Sequence, residues 1–326
     1  MADGWSCVSR GRLGDWMRNR VRAPRLTTAV AMSIPVLFAV AVGGSSHAAT
    51  GPAVAPAGVV KHVVWIVDEN HSYDQIIGVP KDAYLNSLAT TYGSASNDWG
   101  ITHPSVPNYL GLTSGLPLAS LPAVDCTKCT QTGPDLFTQG ESWRAYEESM
   151  PTACDRTATS DGLYQPKHNP PLYYLDVPNA SCSADDVPYT TLATDLKFHT
   201  LPAFSYINPN MMDNMHTGTN VQGQAWLQAQ LPALLNSTEF TSGSMVIFIT
   251  WDEGTPTGEV LGTDCTAGTS QTCHVPLLVL SQWTHGVSYS GKLTHYSVLK
   301  ATEDLLGLPE LGQAKTAPSL TAAFAL

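Results

Sequence analysis

Two short runs of the sequence crowd oxygen-bearing side chains behind apolar stretches: Asp68-Glu69-Asn70-His71-Ser72-Tyr73-Asp74 after 62–67, and Trp251-Asp252-Glu253-Gly254 after 245–250. Each has a plain account when taken singly. Asn70 or Ser72 suits a helix N-cap, and the second run reads as an acidic turn closing on Gly254. Together they put Asp68, Glu69, Asp252 and Glu253 at one sheet edge. Like charges that close raise one another's pKa unless a cation neutralises them. The Glu and Asp carboxylates together with the Asn70 amide carbonyl form an all-oxygen donor set. All-oxygen ligands suit one or more hard divalent cations, Ca2+, Mg2+ or Mn2+; with no cysteine in the set and histidine optional, Zn2+ comes second.

A metal beside a hydroxyl has a chemical use. Thr102-His103-Pro104-Ser105-Val106-Pro107-Asn108-Tyr109 places Ser105 after a proline, where a short helix begins. Serine there is often only an N-cap, but its hydroxyl also lies near free backbone N–H groups and the positive helix end. Coordination to a divalent ion lowers a hydroxyl's pKa and makes it a nucleophile, and Asn108 would donate to an oxyanion. His103 and His295 take the plainer reading, as capping or packing residues, and His274 heads a buried strand.

The elements that must position these groups alternate between strand and helix. Apolar runs at 62–67, 202–207, 245–250 and 275–280 read as strands. Helical spacing covers 81–92, 106–114, 135–149, 224–235 and 296–306, the last stopping at Gly307. Continuous apolar strands separated by helices predict an α/β fold, a mostly parallel sheet with helices on both faces. In such a sheet ligands sit beyond the carboxyl ends of the strands. Stretches 117–134 and 151–201 lack a clear period and read as disulfide-tied irregular excursions.

Residues 1–48 carry the basic, apolar and small-residue order of a signal peptide, and 49–60 an Ala/Pro/Gly-rich linker, leaving 61–326 as a single domain. An exported, extracellular protein agrees with the cysteines. Of seven, one lies in the leader, and sequence order suggests Cys126–Cys129, Cys154–Cys182 and Cys265–Cys273 for the rest, although six cysteines allow about 15 pairings. The chain's net charge of −11 becomes −15 once the leader's six arginines and two aspartates are removed. That charge excludes nucleic acid and anionic membrane as default partners, and no stable membrane insertion is expected after leader removal.

The set ENHSYD, HPSVPNYLGLTSG, KHNPPLYY, PNMMDNMHTGT, ITWDEG and HVPLLVLSQW resembles the phosphoesterase family of secreted acid phosphatases and bacterial phospholipases C, in the same order from Lys61 to about Leu311, nearly all the chain beyond the leader. The resemblance implies an alkaline-phosphatase-like fold. It implies a metal held by Glu69, Asn70, Asp252 and Glu253, Ser105 at the nucleophile position and Asn108 on phosphate. His168 and His216 would be substrate ligands or proton donors. One motif departs: relatives tend to read Asn-Asp-Met-His-Asp where this chain has Asp213-Asn214-Met215-His216-Thr217, so Asn214 would orient the histidine without charge.

A check independent of the resemblance concerns charge. A phosphate monoester brings about two negative charges, and outside the leader the sole arginines are Arg144 and Arg156. Only Lys167, beside His168, falls in the sheet-edge motifs. Phosphate enters such a site only if a cation reverses the local field. The expectation is a metal-dependent acid phosphatase acting on a small-molecule or lipid phosphate ester. A phosphodiesterase of phospholipase C type is the alternative, and a non-catalytic binder of phosphorylated ligands a further one.

Overall fold

The computed structural model describes residues 53–255, 258 and 260–326. The expected leader and the start of the expected linker, 49–52, lie outside these residues. In chain order the strands are β1 His62–Asp68, β2 Gly93–Trp99, β3 Trp143–Glu147, β4 Asp186–Pro188, β5 Phe204–Asn208, β6 Met245–Trp251, β7 His274–Leu280, β8 Val287–Tyr289 and β9 Leu293–Thr294. The α-helices are α1 Tyr73–Ile76, α2 Ala83–Thr91, α3 Ser105–Ser114, α4 Asn179–Asp185, α5 Thr191–Phe198, α6 Asn220–Leu235, α7 Thr238–Thr241 and α8 His295–Leu306. Among the described residues no helix is long and apolar enough to cross a membrane.

The strands form one sheet in the order β4-β3-β5-β1-β6-β7-β2-β8, with β9 also against β2. Every pairing is parallel except those of β7, which runs against both β6 and β2. The expected mostly parallel α/β architecture is therefore present. Successive side chains of a strand point to opposite faces, and the two cores divide accordingly. Val63, Trp65 and Val67 pack with Val106 and Tyr109 of α3 and Val298 of α8. Val64 and Ile66 pack with Leu85 of α2, Trp226 and Leu227 of α6 and Phe240 of α7. Gly307 ends α8 in the left-handed region at φ 69°, a conformation open to glycine at little cost.

Strand direction decides where the polar runs go. Asp68 pairs with Trp251 across β1 and β6, so Glu69 and Asp252 leave the sheet side by side. The Asp252 N–H continues the ladder, donating to Asp68 O at 3.0 Å. β2 ends on the same edge, opposite His274 at the start of the reversed β7. The chain then turns through 100–104 into α3.

One expected element is wrong. Residues 135–149 do not form a helix. Asp135 accepts the Phe137 N–H at 2.8 Å and makes a turn, Gly140 sits at φ 99°, and β3 follows. The helical spacing of apolar residues was satisfied differently: Phe137, Trp143 and Ala145 enter the core from a turn and a strand. Pairing of β3 with β4 and β5 outweighs a modest local helix propensity. The disulfides follow sequence order, Cys126–Cys129, Cys154–Cys182 and Cys265–Cys273.

The turn from β2 into α3 is held by Asn108. Its Oδ1 accepts the N–H groups of Ile101 and Thr102 at 2.8 and 3.1 Å, and its Nδ2 donates to the carbonyls of Thr102 and Pro104 at 2.7 and 3.0 Å. The residue is fully buried. Asn108→Ala leaves these backbone groups without partners and should cost about 1–3 kcal/mol in urea unfolding, whereas a side chain serving only substrate would leave stability unchanged.

A second prediction concerns Glu303, buried on α8, whose Oε1 accepts the Leu311 N–H at 2.9 Å. Burial lifts its carboxyl to about 7, against the partial compensation of hydrogen bonds from Leu311 and Gln139. A raised carboxyl pKa means the folded state holds the proton more tightly than the unfolded chain, whose value is about 4.3. Its contribution is complete below that value and is lost as pH climbs through about 7. Glu303→Gln should therefore flatten the fall in melting temperature between about pH 5 and pH 8; an unchanged slope would contradict this origin.

Candidate active site

Ser105 is the first residue of α3 and only 2% exposed. Its Oγ lies 3.3 Å from Glu69 Oε2 and 3.2 Å from Glu253 Oε1. A hydroxyl has one proton to donate, so two carboxylates, one following β1 and one following β6, compete for it. The sheet has thus brought together residues 36 and 148 positions from the serine. Gly254 is required here by space: a Cβ would stand 2.2 Å from Thr272 O.

Glu69 is the most heavily contacted of the acids. Tyr109 OH donates to Oε1, His168 Nε2 stands 3.0 Å from the same oxygen, and Asn70 Nδ2 donates to Oε2 at 3.0 Å. Burial pushes its carboxyl up, but the charges of His168, His216 and Lys167 outweigh burial and hold it at about 2. Burial first, then the charges of Glu69 and Asp252, pushes the Tyr109 phenol up, so it remains a donor.

Asp252 is less well served. Oδ1 accepts the Asn70 N–H at 3.2 Å, while Oδ2 is buried and finds no hydrogen-bond partner among the described residues. Burial, followed by the charges of Glu69 and Glu253, raises its pKa well above the usual carboxylate range. Asp68 beneath it is raised likewise, by burial first and then by Glu69 and Asp213. Buried like charges with an orphaned oxygen fit a bound cation, which supplies the missing partner and reverses the repulsion. Glu69, His168 and His216 each bring a ligand atom within 4.8 Å of the others, which adds imidazole nitrogen to the oxygen donors expected from sequence.

His216 reaches the site on the loop Asp213-Asn214-Met215-His216-Thr217. Asn214 fixes that loop by accepting the His216 N–H on Oδ1 at 2.9 Å and the Glu69 N–H on its carbonyl at 2.8 Å. Asp213 turns away to Asn210 Nδ2 at 3.1 Å. The His216 ring lies 5.6 Å from that of His168, and its Nε2 is 3.4 Å from Lys167 Nζ. Burial lowers its pKa, with Glu69 opposing and His168 and Lys167 reinforcing. Ser105, Asn70, Glu253, His216, Lys167 and Asp125 open on one cleft of about 430 Å³.

The eight residues singled out from sequence therefore gather at one edge, but Asn108 does so in a different role: both ends of its amide are engaged by the 101–104 backbone rather than turned to an oxyanion. Several site groups escaped the sequence reading. His103 Nδ1 donates to Glu253 Oε2 at 2.6 Å, and His295 Nε2 donates to the Asp252 carbonyl at 2.6 Å. Burial lowers the His295 pKa to about 4, so the ring is neutral. The two-residue spacing of His103 and Ser105 was a usable signal; nothing local distinguished Tyr109 or His295.

Residues 80–309 match the family model described as the Phosphoesterase family. The chain is 32% identical over 264 residues to the phosphatidylinositol-3-phosphatase of Mycobacterium tuberculosis, covering 80% of this chain and 81% of that protein. It is 29% identical over 249 residues to the phosphate-repressible acid phosphatase of Penicillium chrysogenum, covering 71% of this chain and 56% of that longer protein. Among solved structures, a protein in the alkaline phosphatase superfamily from Vibrio parahaemolyticus superposes with a TM-score of 0.54 at 14% identity, over 82% of this chain and 72% of that one. The fold is thus alkaline-phosphatase-like. On the match through most of its length, the chain belongs to the phosphoesterase family.

Proposed function

We propose that the protein is a secreted, metal-dependent acid phosphatase that hydrolyses phosphate monoesters through a phosphoserine at Ser105. The observation that carries this reading is Ser105 Oγ, held between carboxylates of two neighbouring strands at the head of a helix and at the floor of an open cleft. The names of the relatives support a monoester substrate, and a phosphorylated inositol lipid is one such ester. Three disulfides support an oxidising, extracellular destination.

In the chemical step Ser105 Oγ gives its proton to one of the two carboxylates it faces, Glu69 or Glu253, and forms the bond to phosphorus while the bond to the alcohol oxygen breaks. His216 or His168 protonates the departing alkoxide. Water then gives a proton to the now neutral histidine and forms the bond to phosphorus, the Ser105 Oγ–phosphorus bond breaks to release inorganic phosphate, and the carboxyl returns its proton to Ser105 Oγ. Tyr109 and His168 hold Glu69 in place, and His103 does the same for Glu253. A divalent cation bound by Glu69, Asn70, Asp252 and Glu253 would supply the positive field that admits a phosphate dianion and lowers the serine pKa.

Ser105→Ala should reduce turnover of an aryl phosphate by at least about a thousandfold; retained turnover would dispose of the covalent route. Chelation should silence the enzyme, and a divalent ion restore it. Turnover of a monoester should exceed that of the matching diester, and the reverse order would point to a phospholipase C-type diesterase. Phosphate-ester binding without turnover, with the ion present, would leave only a binding protein.

A further inference from the structure

Asp125 lies on the excursion over the sheet, next to the Cys126–Cys129 disulfide, and reaches into the cleft beside Ser105. Its Oδ1 accepts the Val106 N–H at 2.9 Å, and its Oδ2 accepts from Lys167 Nζ at 3.0 Å. Val106 directly follows the serine in the first turn of α3. The two donors are therefore a backbone amide at a helix N-terminus and an ammonium group. That pair suits an oxyanion, and a carboxylate bridging it imitates two oxygens of a phosphate. Since Pro107 has no N–H, α3 offers few other amides at this end.

Asp125 is also badly placed for a passive cap. Its carboxylate adds a negative charge to a cleft already lined by Glu253 and backed by Glu69, where an anionic substrate must enter. Yet it is 32% exposed, so it is free to turn to water without dismantling a core. Lys167 is 20% exposed and also touches His216, at 3.4 Å from Nε2. The ammonium is thus shared between the internal acid and the reacting region.

We propose that Asp125 is an internal competitor for the oxyanion subsite made by the Val106 N–H and Lys167, displaced when a phosphate group binds at Ser105. This inference rests on the phosphatase reading above. Asp125 sets the threshold for anion binding: weakly held or weakly charged anions fail to expel it, and a phosphate dianion succeeds. Specificity for dianionic esters then comes in part from a side chain that substrate must move.

The test is calorimetric titration of the metal-replete protein with inorganic phosphate, a measurement that needs no turnover. Asp125→Asn keeps an acceptor for the Val106 N–H but loses the charge, and should bind phosphate about tenfold more tightly. Asp125→Ser retains a cap acceptor and should move the constant the same way. In a Lys167→Gln background the gain from Asp125→Asn should shrink to within about twofold, because the contested donor is gone. Unchanged or weaker phosphate binding in Asp125→Asn would overturn the proposal. So would a gain that survives Lys167→Gln, which would mark a general field effect. Absence of aryl phosphate turnover in the unaltered protein, with the phosphate shifts as expected, would instead sink the phosphatase reading and leave the subsite standing.

Discussion

Buried negative charge around a single hydroxyl is the constraint on which this molecule is organised. Glu69, Asp252 and Glu253 are each nearly or wholly inaccessible, and Asp252 has an oxygen without a partner among the described residues. At an effective dielectric constant near 20, two such charges about 4 Å apart repel by about 4 kcal/mol, a large fraction of a domain's net stability. The surrounding groups only partly answer this. Tyr109, His168 and Asn70 stabilise Glu69, and His103 stabilises Glu253, but Asp252 keeps Oδ2 without a partner among the described residues. In the proposed reading a cation held by the cluster supplies the missing partner and offsets the repulsion.

The fold supplies this arrangement through strand direction. β1 and β6 are parallel neighbours in register, so the residues that follow them emerge together on one edge. β2 delivers Ser105 to the same edge through a turn clipped by Asn108, and β7, the reversed strand, brings its first residue, His274, opposite the end of β2. α3 places Ser105 at its amino end and turns its apolar face to the core through Val106 and Tyr109. One helix thus anchors the serine and supplies the phenol that fixes Glu69.

Much of this was legible in the sequence because it depends on period and order. Apolar strands that end in acids mark the carboxyl edge of a parallel sheet wherever they occur, so Glu69, Asn70, Asp252 and Glu253 could be grouped across 180 residues. Ser105 was legible from the proline before it and the helical spacing after it. The 135–149 segment was misread because its apolar spacing fits a helix, while pairing with β4 and β5, invisible locally, decides its conformation. Asn108 was placed in the right turn with the wrong partner, since an amide serving a backbone turn and one serving an oxyanion look alike in sequence. His295 was unreadable for a further reason: it reaches the Asp252 carbonyl from 43 residues away, by the packing of α8.

On the proposed reading, the acids repel one another when alone and are held favourably around a cation. The most direct measurement is the melting temperature of Asp252→Asn against the unaltered protein, once with chelator and once with a saturating divalent ion. At a pH high enough to ionise Asp252, the variant should melt higher than the unaltered protein in chelator, where it removes a buried repulsive charge, and lower with the ion, where it removes a ligand. A shift of the same sign under both conditions would contradict the claim.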